Sequence, residues 1–212
     1  MTVGDEVELR PKRRRSETVE RLLDAALETF AEIGFAAASV EDICRRGGFT
    51  RGAFYSSFTT KDELFAALYA RETARELARV EEQLTGIELE DDPLAAAVER
   101  CLATFRADRT WVLVQSEYAL HAARHPEAAA ALRAHVDAVH LRIAALIDES
   151  AARTGLQLAI PPARLARILT ALHDGLVIAH VATGDARHAT EGAVPDLEHA
   201  AMLLLLRAAI RA

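Results

Sequence analysis

Arg51 and Tyr55 stand four residues apart, with Gly52 between them, in the stretch "GGFTRGAFYSSFTTKDEL". On a helix that spacing puts a guanidinium and a phenol on one side. The guanidinium offers two parallel N–H donors that match the O6 and N7 acceptors of guanine, and the phenol can donate to a phosphate oxygen. Gly52 keeps the first turn slim enough for close approach to base edges. Lys61 adds a cation, and the free N–H groups at helix starts after Ser39, Thr50 and Thr60 suit phosphates. For Arg51 and Tyr55 the alternative is an ordinary helical corner, and it stays open on spacing alone.

The elements that must position these groups are visible in the apolar periodicity. After Ser16, a plausible N-cap, Val19, Leu22, Leu23, Ala26, Leu27, Phe30 and Ile33 recur at steps of three and four, and Gly34 supplies a stop. Ser39 caps a short helix with Asp42 at the reciprocal capping position, and Val40, Ile43 and Cys44 form its inward face. Gly47 and Gly48 break it. Thr50 caps a third helix, whose phenylalanines Phe54 and Phe58 point inward, with Phe49 beside them as core. Thr60 and Glu63 form another capping box that opens a long helix through Leu64, Leu68, Leu77, Val80 and Leu84. Two short helices joined by a glycine turn and braced by longer ones make a helix-turn-helix, whose second short helix enters the major groove.

Charge divides along the chain in the same way. The net charge is −7, yet from Arg10 to Lys61 ten Lys or Arg face seven Asp or Glu, whereas residues 62 to 212 hold fifteen against twenty-two. Within the basic head, Lys12, Arg13, Arg14 and Arg15 form an arm suited to phosphates, with a solvated tail as the alternative. Ala, Leu, Arg and Glu dominate, and alternating β-branched runs are missing, so the expected fold is all-α. Cys44 and Cys101 lie far apart without metal-ligand spacing, which suits a reducing cytoplasm. The apolar stretches near the C-terminal end do not read as membrane spans, because one carries His173, Asp174 and His180 and the other is too short. The N-terminus has no apolar signal-peptide core.

"SVEDICRRGGFTRGAFYSSFTTKDELF", preceded by "LLDAALETFAEIGF", resembles the DNA-binding head of the TetR family of transcriptional regulators over about residues 16 to 65. The resemblance implies a homodimer whose two heads bind a palindromic operator in double-stranded DNA and whose larger C-terminal domain holds a small-molecule effector. Its DNA-contact positions fall on Ser39, Thr50, Arg51, Gly52, Tyr55 and Lys61. Cys44 and Gly47 stand where such heads usually carry alanine, and Ser57 replaces a frequent histidine or other larger contact residue. The expected organisation is a flexible basic arm over residues 1–15, a three-helix helix-turn-helix domain over 16–60, and an effector-binding and dimerisation domain over 61–212. About nine helices are expected in all.

The body has to be read from its own pattern. A fifth helix runs from about Asp92 to Phe105, and a sixth places Trp111, Gln115 and Tyr118 on one face, a mix suited to a ligand cavity or to packing against neighbours. Pro126 opens a seventh with the inner stripe Leu132, Val136, Val139, Ile143 and Ile147, and His140 in its midst. Phe105, Trp111, Gln115, Tyr118, His140 and His173 are the candidate effector contacts. The eighth and ninth helices are apolar around most of their circumference, so pairing with a second copy through Leu172, Gly175, Leu176, Met202, Leu203 and Leu206 is expected. An enzyme and a structural adaptor are the other readings. The dipeptide His173-Asp174 occurs in metal-dependent phosphohydrolases, but the two side chains project about 100° apart on one helix. No catalytic residue, metal or cofactor is expected.

Overall fold

The computed structural model describes residues 4–104, 109–183 and 193–211. Phe105 lies outside the described residues, as do the side chains of Lys12, Arg13 and Arg14. Among the described residues the chain forms nine α-helices: α1 (Gly4–Ile33), α2 (Val40–Gly47), α3 (Arg51–Tyr55), α4 (Lys61–Gln83), α5 (Pro93–Thr104), α6 (Arg109–Ala122), α7 (Pro126–Thr154), α8 (Pro162–Thr183) and α9 (Ala193–Ala208). A short 3-10 turn covers Ile87–Leu89. Two compact units result, one built from residues up to Arg71 together with Leu113–Leu132, the other from Glu72–Val112 and the chain from Arg133 onward.

In the first unit the apolar stripe of α1 does what its spacing predicts, burying Leu22, Leu23, Ala26 and Phe30, although Ile33 at its end is 44% exposed. The helix begins at Gly4, so Ser16 is an interior residue and does not cap it. Arg, Lys and Glu are good helix formers, and extending an existing helix fixes one residue per hydrogen bond gained, which outweighs the local cost of Pro11. The chain leaves α1 at Gly34 with φ of +81°, where an added Cβ would lie 2.8 Å from Oε2 of Glu117. Ser39 and Asp42 complete the expected capping box of α2. Gly47 is demanded by a neighbour, since a Cβ there would come within 2.8 Å of the Phe49 ring and 3.2 Å of the Ala25 methyl. Phe54 and Phe58 are buried as predicted. Phe49 is only half-buried, with the Arg21 guanidinium 4.8 Å from its ring centroid.

The centre of this unit is aromatic. Phe35 stands edge-on to Phe65 at 5.7 Å and to Tyr118 at 4.9 Å, while Phe65 and Tyr118 stack with centroids 3.6 Å apart. Each such pair contributes about 0.5–1.5 kcal/mol beyond the area it buries. Tyr118 comes from α6, whose second half therefore completes the core of the head.

In the second unit α9 packs against α5 and α8. The loop before α8 is tied to the C-terminal end by backbone bonds from Ala159 N–H to the Ala209 carbonyl at 2.7 Å and from Arg211 N–H to the Gln157 carbonyl at 2.8 Å. Asp92 caps α5 by accepting from Ala95 N–H at 3.0 Å, and Pro126 opens α7 as expected. The inner stripe expected on α7 stays half-buried, and Ala144 and Leu146 take the buried positions.

Candidate nucleic-acid interface

The α2–turn–α3 segment presents two different faces. Phe54 is fully buried, anchoring α3 to the head, while Tyr55 is 49% exposed and the Arg51 side chain 62% exposed. Arg51 projects beside Tyr55, its guanidinium 5.8 Å from the ring centroid, and its Nη1 lies 2.7 Å from a carboxylate oxygen of Glu41 on α2. A side chain at position 52 would meet only the Thr50 hydroxyl, at 3.7 Å, so packing within the head does not require glycine there.

The caps differ in what they leave available. The Thr50 hydroxyl accepts from Ala53 N–H at 3.2 Å, a bond that does not use its own proton. The Ser39 hydroxyl has its proton engaged: it accepts from Asp42 N–H at 3.2 Å and donates to the Asp42 carboxylate at 2.5 Å. Those bonds to Ser39, side chain first and backbone next, hold the Asp42 carboxyl below the usual aspartate range against its desolvation, with Arg45 assisting. At the start of α4 the reciprocal partner of Glu63 is Thr59, whose N–H and hydroxyl donate to it at 2.7 and 2.6 Å, while Thr60 accepts from Glu63 N–H at 3.0 Å.

Lys61 is engaged in the head itself. Its ammonium donates to the carbonyls of Phe35 at 2.6 Å and Ala38 at 2.8 Å, and sits 4.3 Å from the Phe35 ring centroid. Burial lowers its pKa from the ordinary lysine value, with the Asp62 charge opposing. It clamps the turn between α1 and α2. Arg15, assigned to the flexible arm, lies within α1 and donates to the Ser56 carbonyl at 3.3 Å.

A second set of contacts was not visible in the sequence. The Glu117 carboxylate accepts from Phe35 N–H at 2.7 Å, directly against Gly34. Tyr118 donates its hydroxyl proton to Asp62 at 3.2 Å, and His121 Nε2 lies 3.2 Å from the same carboxylate oxygen. Burial, then the charge and hydrogen bond of Asp62, push the Tyr118 phenol well up. Tyr118 is thus part of the head core. Its place on one face of α6 with Trp111 and Gln115 is legible in the sequence, but its partners sit more than fifty positions away.

The other candidate effector contacts separate. Trp111 and Gln115 are half-buried, the first belonging to the second unit and the other to the first. His140 Nε2 lies 3.0 Å from the Thr170 hydroxyl, while its buried Nδ1 has no partner among the described residues. His173 Nδ1 lies 2.6 Å from Glu198, a buried carboxylate from α9. Burial works against the charged His173 ring, but that hydrogen bond and then the charges of Glu198, Asp174 and Glu76 prevail and raise its pKa. Among the described residues no group of three or more side chains has the arrangement of a metal site.

On the surfaces expected to pair, Leu172, Leu176, Leu203 and Leu206 are half-buried and Gly175 is exposed, with nothing within 4 Å of a Cβ placed there. Met202 is buried within the chain. The exposed apolar side chains are instead Ile168 and Ile178 on α8 and Leu197 and Leu204 on α9. By length and composition α8 is also apolar enough to cross a bilayer. It carries His173, ion-paired to Glu198, and Asp174 in its middle, which a lipid environment disfavours.

Comparison with known proteins covers both parts of the chain. Residues 22–68 match the family model described as bacterial regulatory proteins, tetR family, and residues 89–208 match the tetracyclin repressor-like C-terminal domain. The HTH-type transcriptional regulator UidR of Escherichia coli K12 is 32% identical over 116 residues, 55% of this chain and 57% of its own length. The HTH-type regulator Rv2912c of Mycobacterium tuberculosis is 36% identical over 87 residues, 41% of this chain and 45% of its own. The chain thus spans about half the length of the curated relatives it matches. Among solved structures, Salmonella enterica GusR aligns with a TM-score of 0.72 at 23% identity, covering 90% of this chain and 96% of that one. FadR of Bacillus subtilis in complex with stearoyl-CoA aligns with a TM-score of 0.66 at 17% identity, covering 91% and 99%.

Proposed function

Since the chain belongs to the TetR family of bacterial regulatory proteins, we propose that it is a transcriptional repressor that binds a palindromic operator as a homodimer and is released by a small molecule. The observation that carries the DNA-binding part is the two-faced α3, with Phe54 buried on one side and Arg51 and Tyr55 exposed on the other around a glycine that the head does not need. Arg51 reads a guanine edge, and Tyr55, Thr50 and the N–H groups at the starts of the helices hold phosphates. Lys61 supports this surface from behind.

Dimerisation is supported by Ile168, Ile178, Leu197 and Leu204, exposed apolar side chains on two helices that water does not favour. A two-fold axis between two copies would place the α3 helices about 34–36 Å apart, one DNA turn, or somewhat more. An effector is supported by the presence of stearoyl-CoA in one fold neighbour. In this chain α4 is one continuous helix whose first half belongs to the head and whose second half belongs to the body. A ligand that fits only one tilt of α4 biases the spacing of the two heads. The protein works in the cytoplasm, where its operator is, without a cofactor and without catalysis.

Selection of binding sites from random duplex DNA by the purified protein tests this reading. The expected result is a palindromic motif, bound about 1–3 kcal/mol more weakly by Arg51→Ala, with relaxed preference at one position in each half-site. Recovery of no motif at any salt concentration would overturn it.

A further inference from the structure

Glu41 lies in the first turn of α2, but the cap of that helix is completed by Ser39 and Asp42 without it. Its side chain is 52% exposed and reaches over to α3, where it meets Nη1 of Arg51 at 2.7 Å. A carboxylate on a surface that approaches phosphates is repulsive, and here it sits beside the residue best suited to read a base. The dipole of α2 favours a carboxylate in this first turn, but neither that nor core packing accounts for its reach across to Arg51.

We propose that Glu41 is a positioning residue that determines specificity: it holds Arg51 against the Tyr55 side of α3, extended toward a base edge, and withholds it from the phosphates of non-cognate DNA. The proposal rests on the DNA-binding reading given above. On random DNA Arg51 gains a phosphate only by giving up Glu41, an exchange of one exposed ion pair for another. At a cognate site Arg51 keeps Nη1 on Glu41 and offers its remaining donors to guanine. The carboxylate therefore penalises the wrong complex more than the right one, which widens the gap between them.

The test uses the full chain with Glu41→Gln, which keeps the side-chain length and removes the charge. Binding is measured by fluorescence anisotropy over a salt series, on a random-sequence duplex and on the duplex recovered by selection. The expected gain on the random duplex is about fivefold, the scale of one exposed ion pair. One additional phosphate contact should also steepen the dependence of log K on log salt by about 0.9. The recovered duplex should gain less, so the ratio of the two affinities falls. In an Arg51→Ala background, Glu41→Gln should give no further gain on random DNA. An equal gain with or without Arg51 would mean that only bulk charge was removed, and would overturn the proposal. So would an unchanged salt slope, or equal gains on both duplexes. If selection recovers no motif the operator reading fails, while the random-duplex measurements still decide whether Glu41 acts through Arg51.

Discussion

Replacing Lys61 by methionine keeps the aliphatic stem and removes the ammonium that closes the turn between α1 and α2. Two carbonyls, those of Phe35 and Ala38, then lose their donors at 2.6 and 2.8 Å, and both residues are at least 97% buried. An unsatisfied buried carbonyl costs about 1–3 kcal/mol. Losing the cation from the face of the Phe35 ring adds about 0.5–1 kcal/mol. Removing the ammonium also recovers part of its desolvation cost, so the net loss should be about 3 kcal/mol. For a chain of this length that lowers Tm by roughly 6–12 °C, at about 2–4 °C per kcal/mol. Urea and thermal unfolding of the full-length protein without DNA, followed by circular dichroism, give the number directly. A loss below about 1 kcal/mol, the value of an exposed ion pair, would refute the reasoning and return Lys61 to the solvent as a simple phosphate contact.

Two further outcomes concern the body. His173 holds its proton more tightly in the folded protein than an ordinary histidine does. Its contribution is therefore complete below about pH 6.5 and disappears as pH rises through the raised folded value. Glu198→Gln should flatten that part of the stability profile measured by urea unfolding at successive pH values, and an unchanged slope would separate His173 from Glu198. Ile178→Asp combined with Leu204→Asp puts charges into the exposed apolar surfaces of α8 and α9. Sedimentation should show the native chain as a dimer and the double variant as a folded monomer, and a double variant that remains dimeric places the interface elsewhere.

What could be read from the sequence was whatever neighbours along the chain decide. The Ser39–Asp42 capping box, the Thr50 cap, the inward Phe54 and Phe58 and the opening proline of α7 all depend on spacings of a few residues, and each is found in the structure. The partners of Lys61 were not legible because a lysine at a helix start looks the same whether it faces a phosphate or two carbonyls 26 and 23 positions earlier. The packing of Tyr118 is hidden for the same reason: its place among Trp111 and Gln115 is visible, but Asp62 and Phe65, which decide where it goes, are supplied by folding. Gly47 showed as a departure from the family pattern, and only the position of the Phe49 ring explains it. On α9 the apolar run was plain, but it has no gap in its hydrophobicity to mark the inner side. Met202, assigned outward, is buried, and Leu204, not singled out, is 71% exposed.

The dependence of the head on Leu113–Leu132 bears on how this protein can be recombined. The first sixty residues are not a portable cassette. A graft that carried them alone would leave the Phe35 ring without Phe65 and Tyr118 and the Phe35 amide without Glu117. A working chimera must move two stretches separated by some forty positions of foreign sequence, which single crossovers do not achieve. On the proposed reading, a lineage of such proteins would acquire new operators by substitution around Arg51 of α3 and Glu41 of α2 more readily than by exchanging whole heads.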